Sequence, residues 1–122
     1  MDHNHLLVSS TFEETPFINI EFTKSWIRQL VKEIDMEILY APRAVRCDKK
    51  NNEGISAFCL ITTSHISLHS WEKSNPNLVQ LDIYSCKYFD KDVVLKYISN
   101  LKPKSLGYKF LDRSNFDNEY LL

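Results

Sequence analysis

The sequence predicts an α+β two-layer sandwich, an antiparallel sheet with two helices on one face. Three observations lead there. Apolar residues recur at helical spacing in only two stretches, several short runs alternate or are apolar throughout, and the connections between the middle runs are polar and hairpin-length. With 122 residues, 43% hydrophobic and 12% aromatic, the chain holds one modest core. It is too small to divide, so residues 1–122 are expected to form a single domain.

His5 to Ser10 is a short apolar run suited to a first strand. From Phe22 to Met36, the residues Phe22, Trp26, Ile27, Leu30, Val31 and Ile34 recur at helical spacing with Lys, Arg, Gln and Glu between them, as in an amphipathic helix lying on a sheet. Glu37 to Arg46 is strand-like, and CDKKNNEG, from Cys47 to Gly54, is a polar turn. Ile55 to Ile61 is apolar on both faces, as a central strand would be, and Ser64 to Trp71 alternates. After the loop KSNPN, Leu78 to Cys86 alternates again, with Val79, Leu81 and Ile83 against Gln80, Asp82, Tyr84 and Cys86. Asp90 or Asp92 can cap a second helix with the stripe Val93, Val94, Tyr97, Ile98 and Leu101. Ser105 to Leu111 closes as a strand, and the last residues are expected to fray. The order β-α-β-β-β-β-α-β leaves one sheet face without helices, and a second copy of the chain is its expected cover.

Fifteen basic residues against sixteen acidic ones give a formal charge of -1, and no basic cluster stands out, so nucleic acid is not an expected partner. The segment MDHNHLLVSS has no basic region followed by a long apolar run, and no apolar stretch approaches membrane-spanning length. A cytoplasmic location without a membrane partner is the expectation. Cys47, Cys59 and Cys86 are odd in number and lack CxxC spacing, which argues against a disulfide framework and a structural zinc site.

Reactive side chains concentrate in TTSHISLHSW, Thr62 to Trp71. His65 and His69 have the HxxxH spacing that binds zinc from a helix, but on a strand they stand roughly 13 Å apart, beyond the reach of one ion, and no metal is expected. No glycine near Ser64 can make a nucleophile elbow, and two glycines in the whole chain cannot write a phosphate-cradling loop. Taken alone, this run is an exposed strand with ordinary polar residues.

Four segments, however, resemble in order and spacing the bacterial and archaeal S-adenosylmethionine decarboxylase proenzymes, a pyruvoyl-dependent family. They are HLLV near the start, GIS at Gly54 to Ser56, SHISLHSW at Ser64 to Trp71, and LDIYSC at Leu81 to Cys86. The resemblance implies self-cleavage between Thr63 and Ser64: the Ser64 hydroxyl attacks the preceding carbonyl, the amide becomes an ester, and β-elimination leaves a pyruvoyl group on the new N-terminus. That carbonyl is the electron acceptor which amino-acid decarboxylation needs and no standard side chain supplies. By position the resemblance also implies that His69 assists elimination, where a base must take the Ser64 α-proton, and that Ser56 works beside it. Cys86 takes the place of a general acid that returns a proton to the substrate α-carbon. Cys59 is left to packing, Cys47 to a loop edge, His65 without a role, and His3 and His5 as solvated side chains. A homodimer is implied as well, its sheets face to face and its active sites near the interface.

The departures bear on the substrate. Thr63 stands where the family typically has glutamate, and Lys50 where it has an aromatic that stacks adenine. Trp71-Glu72-Lys73 replaces a Trp/Tyr-Pro-Glu segment whose glutamate holds the ribose hydroxyls, and the loop before Leu81 is about two residues longer. Glu72 either does that job one place early or is a surface charge. Three readings follow. One is an S-adenosylmethionine decarboxylase in spermidine synthesis. Another is a pyruvoyl-dependent decarboxylase of the same fold acting on ornithine or arginine, whose cationic side chain Glu72 or Asp82 would meet. The third is an uncleaved homologue serving as a regulatory subunit, against which the retention of Ser56, Ser64, His69 and Cys86 argues.

Overall fold

The computed structural model describes residues 2–115; the tail expected to fray lies largely outside them. The elements follow the expected order: β1 (Asn4–Phe12), α1 (Ile20–Glu33), β2 (Ile38–Cys47), β3 (Gly54–Ile61), β4 (Ser64–Trp71), β5 (Asn77–Ser85), α2 (Lys91–Ser99) and β6 (Ser105–Asp112). The strands form one sheet in the order β2-β3-β4-β5-β1-β6. Every pairing whose register is described is antiparallel. β1 therefore lies inside the sheet, between β5 and β6.

Alternation decides which side chains meet the helices. Leu6, Val8 and Phe12 of β1, Ile55, Ala57, Cys59 and Ile61 of β3, Ile66 and Leu68 of β4, and Val79, Leu81 and Ile83 of β5 are all buried on one face. Against them α1 lays Trp26, Ile27, Leu30 and Val31, and α2 lays Val94 and Ile98. The helices meet through the Trp26 and Tyr97 rings, stacked 4.9 Å apart. Helix α1 begins at Ile20, ahead of the expected Phe22, because Asn19 Oδ1 accepts the Phe22 N–H at 2.9 Å. It stops at Glu33 rather than Met36, since Asp35 enters the left-handed region with φ 58°. Of the two candidate caps for α2, Asp90 is the one used, accepting the Asp92 N–H at 2.9 Å.

Among the described residues the other sheet face carries no helix. Its positions on β3 and β4 are Ser56, Phe58 and Leu60, then His65, Ser67, His69 and Trp71. Phe58 and Leu60 are 42% and 38% exposed, and Phe58 stacks on Tyr40 of the edge strand β2 at 6.0 Å. This face holds the candidate site.

Candidate active site

Strands β3 and β4 pair so that Ser56 lies opposite His69, and Ser56 Oγ and His69 Nδ1 are 2.9 Å apart. Gly54 makes that pairing possible. Its φ is 156°, and a Cβ there would stand 1.7 Å from the Ser70 carbonyl oxygen, so only glycine lets β3 start this close to β4. On its other flank the His69 ring stacks on Trp71 at 5.8 Å, and the indole N–H of Trp71 donates to Asn52 Oδ1 at 2.8 Å. In either tautomer the imidazole is held against a hydroxyl, the arrangement of a nucleophile or proton donor beside its base.

The second group sits at the far end of β4. Thr62 and Thr63 form a two-residue hairpin, with Ile61 opposite Ser64. Ser64 has φ 146°, which takes the backbone out of the pleat and costs a non-glycine residue on the order of 1–3 kcal/mol. Cys86, just past β5, donates its backbone N–H to the Thr63 carbonyl at 2.8 Å. The Thr63 hydroxyl accepts from the fully buried Ser85 hydroxyl at 3.0 Å and donates to Met36 Sδ at 3.2 Å. The Thr63–Ser64 bond and Cys86 are thus neighbours.

Ser64 and His69 are not. Five residues along a strand separate them by roughly 16 Å, so one chain presents Ser56 with His69 at one end of β4 and Ser64 with Cys86 at the other. The strand spacing that disqualifies HxxxH as a zinc site is the signal that separates these residues too.

Between the two ends, Asp82 Oδ2 accepts from Ser67 Oγ at 2.6 Å, while its Oδ1 lies 3.2 Å from His5 Nε2 and 3.7 Å from His65 Nε2. His5 is therefore not solvated as the sequence suggested. His3 departs from that expectation as well, its Nδ1 lying 2.9 Å from the Tyr84 hydroxyl. Both contacts have one cause: β1 pairs with β5, which sets His5 opposite Tyr84 and brings the residues around His3 and His5 onto the polar positions of a distant segment. Beside this cluster lies a groove of about 430 Å³ lined by Leu7, Ser9, His69, Gln80, Asp82 and Lys109, among others.

Glu72 is engaged rather than free. Its Oε1 accepts from Arg46 Nη1 at 2.7 Å, and that contact holds the carboxyl below the usual carboxylate range. A depressed folded value means that the pair stabilises the fold above the ordinary value of 4.5 and loses that contribution as pH falls through the lower one. Glu72→Gln should lower the melting temperature by about a few degrees at most at pH 7, with a smaller penalty in acid, as read by thermal melts at both pH values. An equal penalty at both would mean that the charge pair contributes nothing.

Cys59 is buried, which pushes its thiol up, and it packs in the core as expected. Cys47 is half-buried where β2 meets its loop. Lys50 lines a cavity of about 500 Å³ with Trp71, Glu53 and Lys73. Among the described residues no group of three or more His, Cys, Asp or Glu could hold a metal, and no helix is long and apolar enough to cross a membrane.

Fold and site together define an α+β protein with a hydroxyl–imidazole pair on an uncovered sheet face. The chain belongs to the S-adenosylmethionine decarboxylase family, whose sequence model matches residues 5–114. A relative from Clostridium botulinum, called S-adenosylmethionine decarboxylase proenzyme, is 28% identical over 101 residues, 81% of this chain and 82% of the relative. One of the same name from Pyrobaculum islandicum is 34% identical over 67 residues, 53% of this chain, and the match spans only about half of that relative, 52%. The crystal structure of the adenosylmethionine decarboxylase from Aquifex aeolicus superposes with a TM-score of 0.74 at 21% identity, covering 99% of this chain and 98% of that one, which places the fold.

Proposed function

We propose that this chain is the proenzyme of a pyruvoyl-dependent S-adenosylmethionine decarboxylase that cuts itself between Thr63 and Ser64, acts as a homodimer, and serves spermidine synthesis. The observation that carries this reading is the 2.9 Å bond between Ser56 and His69, at the positions where the family's motifs place its processing pair. The roughly 16 Å between His69 and Ser64 makes a second copy necessary. A two-fold axis that lays the Ser56–His69 end of one open face over the Ser64–Cys86 end of the other would build two equivalent sites. The apolar surface suits such a cover: Tyr40, Val45, Phe58 and Leu60 of this face are 46%, 56%, 42% and 38% exposed.

In processing, the Ser64 hydroxyl would attack the Thr63 carbonyl to give an ester and a free Ser64 amine, and His69 of the partner subunit would remove the Ser64 α-proton so that the Thr63 carboxylate leaves; the resulting dehydroalanine tautomerises to an imine, which water hydrolyses to the pyruvoyl group with release of ammonia. The position suits the group that results, because Ser64 opens β4 directly after the Thr62–Thr63 turn and the Thr63 carbonyl accepts a hydrogen bond from the Cys86 N–H. The pyruvoyl group would supply a conjugated carbonyl that takes up the electron pair left when CO2 departs. Cys86, whose backbone N–H adjoins the cleavage site, would return a proton to the substrate α-carbon. The groove of about 430 Å³ falls in the size range of small-molecule sites and reaches from His69 to Asp82.

Intact mass under denaturing conditions tests the processing half. Two fragments meeting between Thr63 and Ser64, absent from a Ser64→Ala control, are expected. A single chain in both samples would favour the uncleaved, non-catalytic homologue instead. Substrate-dependent CO2 release tests the rest: S-adenosylmethionine should release CO2 while ornithine and arginine do not, and the reverse would move the assignment to an amino-acid decarboxylase of the same fold.

A further inference from the structure

Gly54 is required by its surroundings; Gly107 is not. Gly54 has the Ser70 carbonyl against it, whereas a Cβ on Gly107 would meet nothing within 4 Å, and the Gly107 backbone lies outside the left-handed region. Glycine inside a strand weakens it, and where the strand itself gives no reason for it, it marks a place where something else comes close to the backbone. Gly107 faces the side without helices, because Phe110, three residues on, packs against Phe89 on the helix side. Register supplies its neighbours. His69 lies opposite Gln80, Gln80 opposite Ser9, and Ser9 opposite Gly107, one row across the sheet in which the side chains shorten away from His69. The groove of about 430 Å³ follows this row, with Leu7 and Lys109 along one side.

Three strand spacings of about 4.8 Å put Gly107 roughly 14 Å from His69. That length suits an amino acid joined to a nucleoside and exceeds what ornithine or arginine needs. In the dimer proposed above, the Ser64–Cys86 end of the second copy lies over His69, so the reacting amino acid belongs at that end of the row and the rest of the substrate has to run away from it. The opposite direction, toward Lys50, is already engaged. Glu72 is bound to Arg46 at 2.7 Å, the Trp71 ring is stacked on His69 with its N–H given to Asn52, and Lys50 shares its cavity with the charged tips of Lys73 and Glu53.

We propose that the adenosyl group of the substrate lies in the groove over Gln80, Ser9 and Gly107, with Gly107 setting its depth, and not in the cavity beside Lys50. The exposed Gln80 amide and Ser9 hydroxyl supply donors and acceptors for the base and the ribose, and the bare backbone of Gly107 gives a flat floor. Gly107 is then a specificity-determining residue, since any side chain there takes up the space of the nucleoside. The inference rests on S-adenosylmethionine being the substrate, as proposed above.

Gly107→Val tests it. A branched side chain suits a strand and its Cβ has open space, so the variant should melt no lower than the original and cleave itself as fully. Its KM for S-adenosylmethionine should rise about tenfold or more while kcat stays within about twofold, the mark of lost binding rather than lost chemistry. The inhibition constant of 5′-methylthioadenosine, which carries the adenosyl group without the amino acid, should rise by the same factor. Lys50→Ala should leave both constants within about twofold. Ser9→Val narrows the groove from the neighbouring strand and should also raise both, which covers the case in which Gly107→Val does not fold. Unchanged constants in the valine variants would overturn the inference, as would a tenfold rise in Lys50→Ala. Valine variants that elute as monomers where the original elutes as a dimer would overturn it too, by giving the space to the second copy. If the unaltered protein releases no CO2 from S-adenosylmethionine, it is the substrate reading that fails, an outcome distinct from these.

Discussion

Co-expressed with a Ser64→Ala chain, a His69→Ala chain is expected to be cleaved, although each variant alone stays whole. The Ser64→Ala chain has no hydroxyl to attack with, and the His69→Ala chain has no imidazole to take the α-proton. In the dimer proposed above, a mixed pair would set the Ser64 of one copy against the His69 of the other and complete one site. The expectation follows from the spacing along β4, where roughly 16 Å of strand separates the two residues. Since a lost base typically costs about 10²–10⁴ in rate, the contrast between separate and mixed samples should be unambiguous in a mass spectrum. Should the His69→Ala chain remain whole beside its complement, with both chains present in one dimer, the two-copy site would be wrong.

Gly54→Ala is expected to remove both fold stability and self-cleavage. A Cβ at this position would overlap the Ser70 carbonyl oxygen at 1.7 Å, and the obstacle is backbone, which cannot rotate away. The φ of 156° adds strain for any L side chain. Strand β3 must then part from β4 at the point where Ser56 faces His69, so the loss should reach about 4 kcal/mol or more, read from the denaturant midpoint. A variant that melts within about a degree of the original would show that the strand start relaxes more cheaply than this geometry implies.

Most of the fold was legible because period alone distinguishes its elements. The alternation in Leu78 to Ser85 and the helical recurrence from Trp26 to Val31 both survive into the structure, and misplaced ends such as Phe22 trace to local caps like Asn19. What the chain order does not reveal is which strands become neighbours. β1 inserts between β5 and β6, and nothing in His5 to Ser10 announces the partner, since register there is decided by which apolar faces can be buried together. That is why His5 and His3 meet Asp82 and Tyr84 instead of standing in solvent. The site was legible only in part for the same reason. Motif order groups Ser56, Ser64, His69 and Cys86, yet pairing divides them into a hydroxyl–imidazole end and a hairpin end. Thr63, a bare departure from the family's glutamate in the sequence, has a hydrogen-bonded place once Ser85 is seen beside it.

The strand order has a consequence for the product of the proposed self-cleavage. A cut between Thr63 and Ser64 assigns β1, β2 and β3 to one fragment and β4, β5 and β6 to the other, yet β1 stays hydrogen-bonded on both edges by β5 and β6. The two pieces are interwoven like the fingers of clasped hands. Neither can depart without tearing three ladders, at β3–β4, β5–β1 and β1–β6. The mature protein should therefore migrate as one particle until denatured, and after denaturation its recovery should depend on concentration, because a folding reaction that began with one molecule would have to be repeated with two.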